Sequence, residues 1–347
     1  MKTSTWGKGL YFLAALFLWG GFVPVRPAVA AQSVADFYKG KTLTWICPFS
    51  PGGGYDVWAR VLAPAVQKLT GATVVVKNMP GGSGLVGSNF MYTKAKPDGL
   101  TIAITQSFTM VIDSLFDNPA VKYDFKKFTW LGRLSTDDYV FSVGKNSRYK
   151  TMKEIKAAPR FKIALDSRTA VNGAGVTSFA LAANLENASV VAGYAGSSEV
   201  KLAVLTGEVD GTSTSIGSQW QMLKSGQLIA VAVVGKERAV SLPDIPTIYE
   251  LNPNMPAGTK KWIDQLTTLQ DTGRAVYAPP GVPRDKADYL RGVIQKAVKD
   301  PAVTSRLEKQ QFYVVYLSAA EYQKQLESLG LTPQDKAELQ HLLLKKY

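Results

Sequence analysis

Two glycine-rich loops are the residues of this chain best suited to hold a small molecule. The first, Pro51-Gly52-Gly53-Gly54-Tyr55-Asp56, follows the run KTLTWICPF; the second, Pro80-Gly81-Gly82-Ser83-Gly84, follows ATVVVKN. Both runs read as strands, and both loops open a helical pattern. Glycine permits positive φ and lets a ligand approach the backbone. A helix N terminus adds unpaired N–H groups and the positive end of a dipole, which suit an anion. Open α/β sheets bind ligands beyond the carboxyl ends of their strands, so two such loops side by side would form an anion cradle. The plainer reading is a pair of tight strand-to-helix turns.

Gly82-x-Gly84-x-x-Gly87 also matches the spacing of a dinucleotide fingerprint. That motif needs an acidic residue at the end of the next strand to hold the ribose. Here the strand LTIAIT ends in Gln106-Ser107. Neither loop has the Gly-Lys-Ser/Thr ending of a phosphate-binding loop. A nucleotide is therefore disfavoured and an anion retained.

The rest of the composition points the same way. One histidine, His341, and one cysteine, Cys47, leave little basis for zinc sites or Ser-His-Asp and Cys-His machinery. Cys47 reads as a buried strand residue, His341 as part of the charged helix PQDKAELQHLLLKKY, and no cofactor or metal is expected. Forty Lys+Arg against 27 Asp+Glu give +13, a balance that attracts anions. The cations are scattered, with no arginine-rich arm or recognition motif, which argues against nucleic acid. A merely basic surface is the alternative.

Several elements must position the loops. Lys2 and Lys8, the apolar run LYFLAALFLWGGFV and Ala28-Val29-Ala30 read as a secretory signal over residues 1–30, cleaved near Ala30, with a periplasmic product. The run is about 14 residues, short of the roughly 20 that span a bilayer. Beyond it, VADFYKG reads as a helix. YDVWARVLAPAVQKLTG is a helix ending at Gly71 as C-cap, and GLVGSNFMYTKAK a further helix before the turn Pro97-Asp98-Gly99. This strand-helix alternation predicts a right-handed α/β lobe with a parallel sheet. FTWLGRLSTDDYVFSVGKNS is extended and would carry the chain into a second lobe. There TMKEIKAAP, GAGVTSFALAANLE and SSEVKLAVLTGEVD are helical, the last with a polar start that can cap it. FKIALDS, SVVAGYAG and LIAVAVVG are strands. The chain is long enough for two lobes.

The combination of segments resembles a known family. ICPFSPGGGYDVWARVLAPAVQKLTGATVVVKNMPGGSGLVGSNFMYTKAKPDGLTIAI, then YAGSSEVKLAVLTGEVD, SGQLIAVAVVG, LPDIPTIYE and YAPPGVPRDKADYLRGVIQKAVKDPAV, is similar to the Bug-type solute-binding receptors of tripartite tricarboxylate transporters. The resemblance implies a two-lobed α/β periplasmic-binding-protein fold, a type II-like Venus flytrap. Each lobe would be a central sheet flanked by helices, the two joined by crossover strands. Lobe 1 would comprise 31–140 plus 236–347, and lobe 2 would comprise 141–235. The resemblance also implies a monomeric receptor, not an enzyme, that captures a small carboxylate and delivers it to the membrane permease subunits. A same-fold sensor feeding a signalling partner and an exported enzyme acting on an anion are the alternatives.

Carried onto this chain, the resemblance puts the ligand carboxylate on Pro51, Gly52, Gly53, Gly54, Tyr55 and Asp56 and on Gly81, Gly82, Ser83 and Gly84. The second lobe would add the loop after its first strand and Tyr194-Ala195-Gly196. The chain departs from the family in DSRTAVNGAGVTSF, where Arg168, Thr169 and Asn172 replace small residues and no histidine is present. It departs again at GTSTS, with Thr214 near a usual Asp, and in the insert LNPNMPAGTKKWIDQLTTLQDTG. Arg168 is the expected second-lobe clamp, because guanidinium pairs with carboxylate in bidentate fashion; an exposed arginine at a domain edge is the competing reading. Ser107, Phe108 and Tyr55 complete the expected site, and Trp58 reads equally as core. A dicarboxylate or an aromatic carboxylate is the expected ligand.

Overall fold

The computed structural model describes residues 33–345, so the expected signal segment 1–30 lies outside the described residues. Two five-stranded sheets organise the chain, and both have the same plan.

The first sheet begins with α1 (Val34–Tyr38), β1 (Thr42–Cys47), α2 (Gly54–Thr70), β2 (Thr73–Asn78), α3 (Leu85–Thr93), β3 (Thr101–Gln106), α4 (Ser107–Leu115) and β4 (Thr129–Ser135). The second follows with β5 (Tyr139–Gly144), α5 (Met152–Ala157), β6 (Phe161–Leu165), α6 (Val171–Ala183), β7 (Ala188–Ala192), α7 (Ser197–Thr206), β8 (Gly211–Ser215), α8 (Ile216–Lys224) and β9 (Leu228–Val234). After α9 (Ala257–Gln270) the chain returns with β10 (Arg274–Ala278), α10 (Arg284–Val298), α11 (Pro301–Glu308), α12 (Ala319–Glu327) and α13 (Pro333–Lys345).

Strand order is β2-β1-β3-β10-β4 in one sheet and β7-β6-β8-β5-β9 in the other. The first three strands of each are parallel, as strand-helix alternation requires. The fourth is antiparallel to both neighbours, so the expected parallel sheet is mixed. In each case that strand is the one delivered by a crossing between lobes. β5 arrives directly from β4 through Thr136–Asp138, and β10 returns from α9 through Asp271–Gly273.

The two crossings touch. Ser135 pairs with Arg274, and Gly273 has φ +61°, where a Cβ would fall 2.0 Å from the Ser135 carbonyl oxygen. Only glycine fits that position.

Packing follows composition. α6 is buried on every residue, because VNGAGVTSFALAA has no polar stripe to expose. It is covered by α9, through Trp262, Ile263, Leu266 and Leu269, and by Leu339 and Leu343 of α13. α9 and α13 thus pack on the second sheet, although they fall within 236–347, the span expected in lobe 1. The insert is the helix that covers α6, and the second crossing comes after it rather than before. α4 sits between the lobes. Its Phe108 and Ile112 join the second-sheet core, and its Met110 and Val111 join a first-sheet cluster.

Candidate functional site

The helices that begin at the gap between the lobes do so without side-chain caps. The N-cap residues of α2 (Gly53), α4 (Gln106), α6 (Ala170), α7 (Gly196) and α8 (Ser215) make no side-chain capping bond. Elsewhere α5, α11 and α12 are capped by Thr151, Asp300 and Ser318, while α3, α9 and α10 also lack side-chain caps; what sets the five apart is that they converge on one place. The polar start of SSEVKLAVL does not cap α7 as expected; Gly196 holds the N-cap with φ 166°. Each uncapped end leaves backbone N–H groups without an intrahelical partner.

These ends surround a narrow cleft between the lobes. The first lobe lines it with Phe49, Ser50, Gly53, Gly54, Tyr55, Gln106 and Arg274. The second lobe contributes Tyr139, Asp166, Val171, Asn172, Ser197, Thr214, Ser215 and Ser218. The lobes meet across it. Ser198 Oγ donates to the Pro51 carbonyl at 3.2 Å, and the Val171 N–H donates to Gln106 Oε1 at 3.4 Å. Gly53 approaches the second lobe closely, where an added Cβ would lie 3.2 Å from Ser197 Oγ.

Arg274 forms the floor at the second crossing. It is 1% exposed. Its Nε lies 2.7 Å from Asp137 Oδ2 of the first crossing, Nη2 donates to Ser215 Oγ at 3.2 Å, and the guanidinium lies 4.1 Å from the centroid of the Tyr55 ring. Nη1 has no hydrogen-bond partner. Burial alone would lower its pKa, but the Asp137 carboxylate outweighs that and holds the guanidinium charged. A side chain at Gly54 would collide with it, with Cβ 2.9 Å from Nη2.

Asp166 is a second ionisable group of the cleft that the sequence pattern does not single out. It directly follows β6, is buried, and accepts the Ser167 N–H at 2.7 Å. Burial pushes its carboxyl up to about 7, against opposing hydrogen bonds from the Ser167 backbone and the Asn172 side chain.

Of the expected site residues, Gly53, Gly54, Tyr55, Asn172 and Thr214 line the cleft. Pro51 and Gly52 form its rim, Pro51 through the Ser198 bond. Asp56 turns inward instead. Its carboxylate accepts the Gly52 N–H at 2.9 Å, Arg60 Nε at 2.9 Å and Asn78 Nδ2 at 2.8 Å, fixing the first loop to α2 and β2.

The second loop lies outside the lining. Gly81, Gly82 and Gly84 have φ of 135°, 55° and 100°, so their glycines serve the turn. Only the buried Ser83 comes near enough to Asp166 to favour its ionised form, without a well-aligned hydrogen bond.

Ser107 and Phe108 are buried at the start of α4, Phe108 in the second-sheet core. Trp58 packs on Phe312. Thr169 is half-buried with its hydroxyl 3.1 Å from Ser167 Oγ. Tyr194 donates to Glu208 at 2.6 Å, away from the cleft. Gly196 lets α7 start beside Ser50. Arg168 is half-buried and does not line the cleft; the arginine that does is Arg274. Its sequence signal is a charge at the start of the apolar strand RAVYA, where a buried ion demands a partner.

Two lobes of matching topology around a cleft ringed by helix N termini define a periplasmic-binding-protein fold. The chain belongs to the tripartite tricarboxylate transporter family receptor group, whose family model matches residues 58–329. It is 30% identical over 79% of its length to a UPF0065 protein encoded between tcbD and tcbE of Pseudomonas sp. strain P51, of which it covers 79%. It is 27% identical to BugT of Bordetella pertussis, over 84% of this chain and 86% of that one. Among solved structures it superposes on the periplasmic binding protein BugD with a TM-score of 0.69 at 23% identity, covering 89% of this chain and 96% of that one. It superposes on MatC from Rhodopseudomonas palustris with bound malate at 0.69 and 19%, covering 87% and 99%. A further R. palustris protein, with adipate, gives 0.70 and 20%, covering 87% and 96%. At these identities the structures establish the fold.

Proposed function

We propose that this chain captures a small carboxylate, with a dicarboxylate as the leading class, between its lobes in the periplasm. It then hands the ligand to the membrane subunits of a tripartite tricarboxylate-type transporter. The observation that carries the reading is the set of uncapped helix N termini converging on one cleft from both lobes. A carboxylate can accept from first-turn N–H groups that have no intrahelical partner, chiefly those of α2 and α7, and it does so where the dipoles favour negative charge. The malate and adipate in the related structures are consistent with this ligand class.

The site binds without chemistry. The ligand docks on the first-lobe loop Ser50–Tyr55 and draws the N termini of α6, α7 and α8 onto itself, a hinge closure about the paired crossings at Ser135 and Arg274. Phe49, Tyr55 and Tyr139 give the ligand's carbon skeleton its apolar lining.

A thermal-shift screen of mono- and dicarboxylates beside their amides, followed by calorimetry, tests capture. Carboxylates should stabilise the protein and the amides should not. A protein stabilised only by nucleotides or amides refutes the reading. Delivery is tested by uptake of the labelled best ligand in cells with and without this receptor; equal uptake refutes the transport role.

A further inference from the structure

Asp166 stands in a place that conflicts with the ligand class just proposed. The Arg274 guanidinium is the one cationic side chain among the described residues lining the cleft, and Asp137 already neutralises it. An entering carboxylate therefore meets helix N termini and, on the same wall as α6, the carboxyl group of Asp166, with no second cation to offset two like charges.

The other ionisable neighbours do not resolve the conflict. Tyr55 of α2 and Tyr139 of β5 are held neutral, because burial raises both hydroxyls. On α7, Lys201 is committed to the Ser218 carbonyl, and Glu199 adds a further acid. Two carboxylates sharing one desolvated site do not both ionise cheaply. The geometry leaves Asp166 as the group to take the extra proton: it is buried on the cleft wall with no cation facing it, and the Asn172 side chain beside it, 4% exposed, has an Oδ1 without a donor.

We propose that Asp166 takes up one proton as an anionic ligand enters, so that this receptor binds carboxylate and proton together. The inference rests on the carboxylate reading above. Protonation at neutral pH is cheap because burial has already pushed the Asp166 carboxyl up to about 7. The sign follows directly. Below pH 7 the acid is already protonated, and binding exchanges no proton. Above pH 7 each binding event must bring a proton in, and affinity falls about tenfold by pH 8 relative to pH 6. A ligand that set an ammonium group against Asp166 would need the ionised form and reverse the trend.

The test is titration calorimetry of the full chain with malate and with adipate from pH 6 to 9, at each pH in two buffers of different ionisation enthalpy. Uptake near zero at pH 6 and about 0.9 proton at pH 8 is expected, with Kd rising about tenfold between them. In Asp166→Asn the uptake should vanish and the Kd ratio should fall below about threefold. Should that variant fail to fold, the two-buffer measurement on the unaltered protein decides alone. A pH-independent Kd without proton uptake overturns the proposal, as does affinity that rises with pH. A dependence that survives in Asp166→Asn also overturns it, and assigns the titration to Lys201, whose ammonium burial pushes down to about 8. Absence of binding by every carboxylate at every pH overturns this proposal together with the carboxylate reading, whereas binding without proton coupling overturns this one alone.

Discussion

Replacing Arg274 by methionine should destabilise the protein far more than a typical substitution, and Asp137 determines how much. The two side chains are 2% and 4% exposed and 2.7 Å apart. At an effective dielectric of about 20, charges about 4 Å apart attract by about 4 kcal/mol. Arg274→Met removes that attraction and leaves Asp137 as a lone buried carboxylate. Breaking a buried pair in this way costs about 3–5 kcal/mol. The guanidinium's stack on Tyr55, 4.1 Å from the ring centroid, adds about 1 kcal/mol. The loss is tempered because desolvation raises the Asp137 carboxyl, so the orphaned acid can shed its charge by protonation. We expect about 3–4 kcal/mol in urea unfolding, or about 5 °C in thermal midpoint. The double variant Arg274→Met/Asp137→Asn should recover at least half of this, because no buried charge remains. A single variant within about 1 kcal/mol of the parent refutes the assignment of this pair as the electrostatic centre of the hinge. So does a double variant no better than the single.

Gly273→Ala should cost at least about 3 kcal/mol, since a left-handed backbone costs about 1–2 kcal/mol and the new Cβ would also fall 2.0 Å from the Ser135 oxygen. Urea unfolding measures it, and a loss under about 1 kcal/mol would show that the crossings are not pinned there. Asp56→Asn should lose about 1.5–3 kcal/mol at pH 7 through weakened charge-assisted hydrogen bonds. Burial raises the Asp56 carboxyl, but Arg60, the Gly52 N–H and Asn78 together hold it below its ordinary value. Its stabilisation is therefore present above the unfolded pKa and lost as pH falls through the folded one, so the parent and the variant should converge in stability below about pH 4. Leu339→Ala, at a fully buried site of α13 against α6, should cost about 2–5 kcal/mol; an unchanged midpoint would mean that α13 is not part of the cooperative unit.

The parallel half of each sheet was legible because strand-loop-helix alternation leaves a local trace: an apolar run, a glycine loop, a 3.6-residue pattern and a left-handed cap such as Gly71. GTSTS was not legible as β8, since a fully buried strand of small hydroxyl residues has neither apolar run nor alternation. The ownership of α9 was hidden for another reason. Its amphipathic pattern shows that it buries a face but not which face it meets, and α6 lies far away in sequence. The first glycine loop was found because backbone approach requires glycine there. Arg274 and Asp166 were missed because their roles come from burial, and burial at a crossing is set by tertiary contacts. The second loop meets the cleft through Ser83 beside Asp166, while its positive-φ glycines build the turn.

The placement of β10 between β3 and β4 has a consequence for how the protein is made. β4 joins its sheet only through β10, and β10 leaves the ribosome after every strand of the second sheet. Until then the nascent first half carries an unfilled slot with two open strand edges, a surface that invites wrong pairing. The second sheet has no such delay, because its inserted strand, β5, is its earliest. The half that emerges first must therefore finish last. A chain with that order gains from staying unfolded until all of it has been delivered.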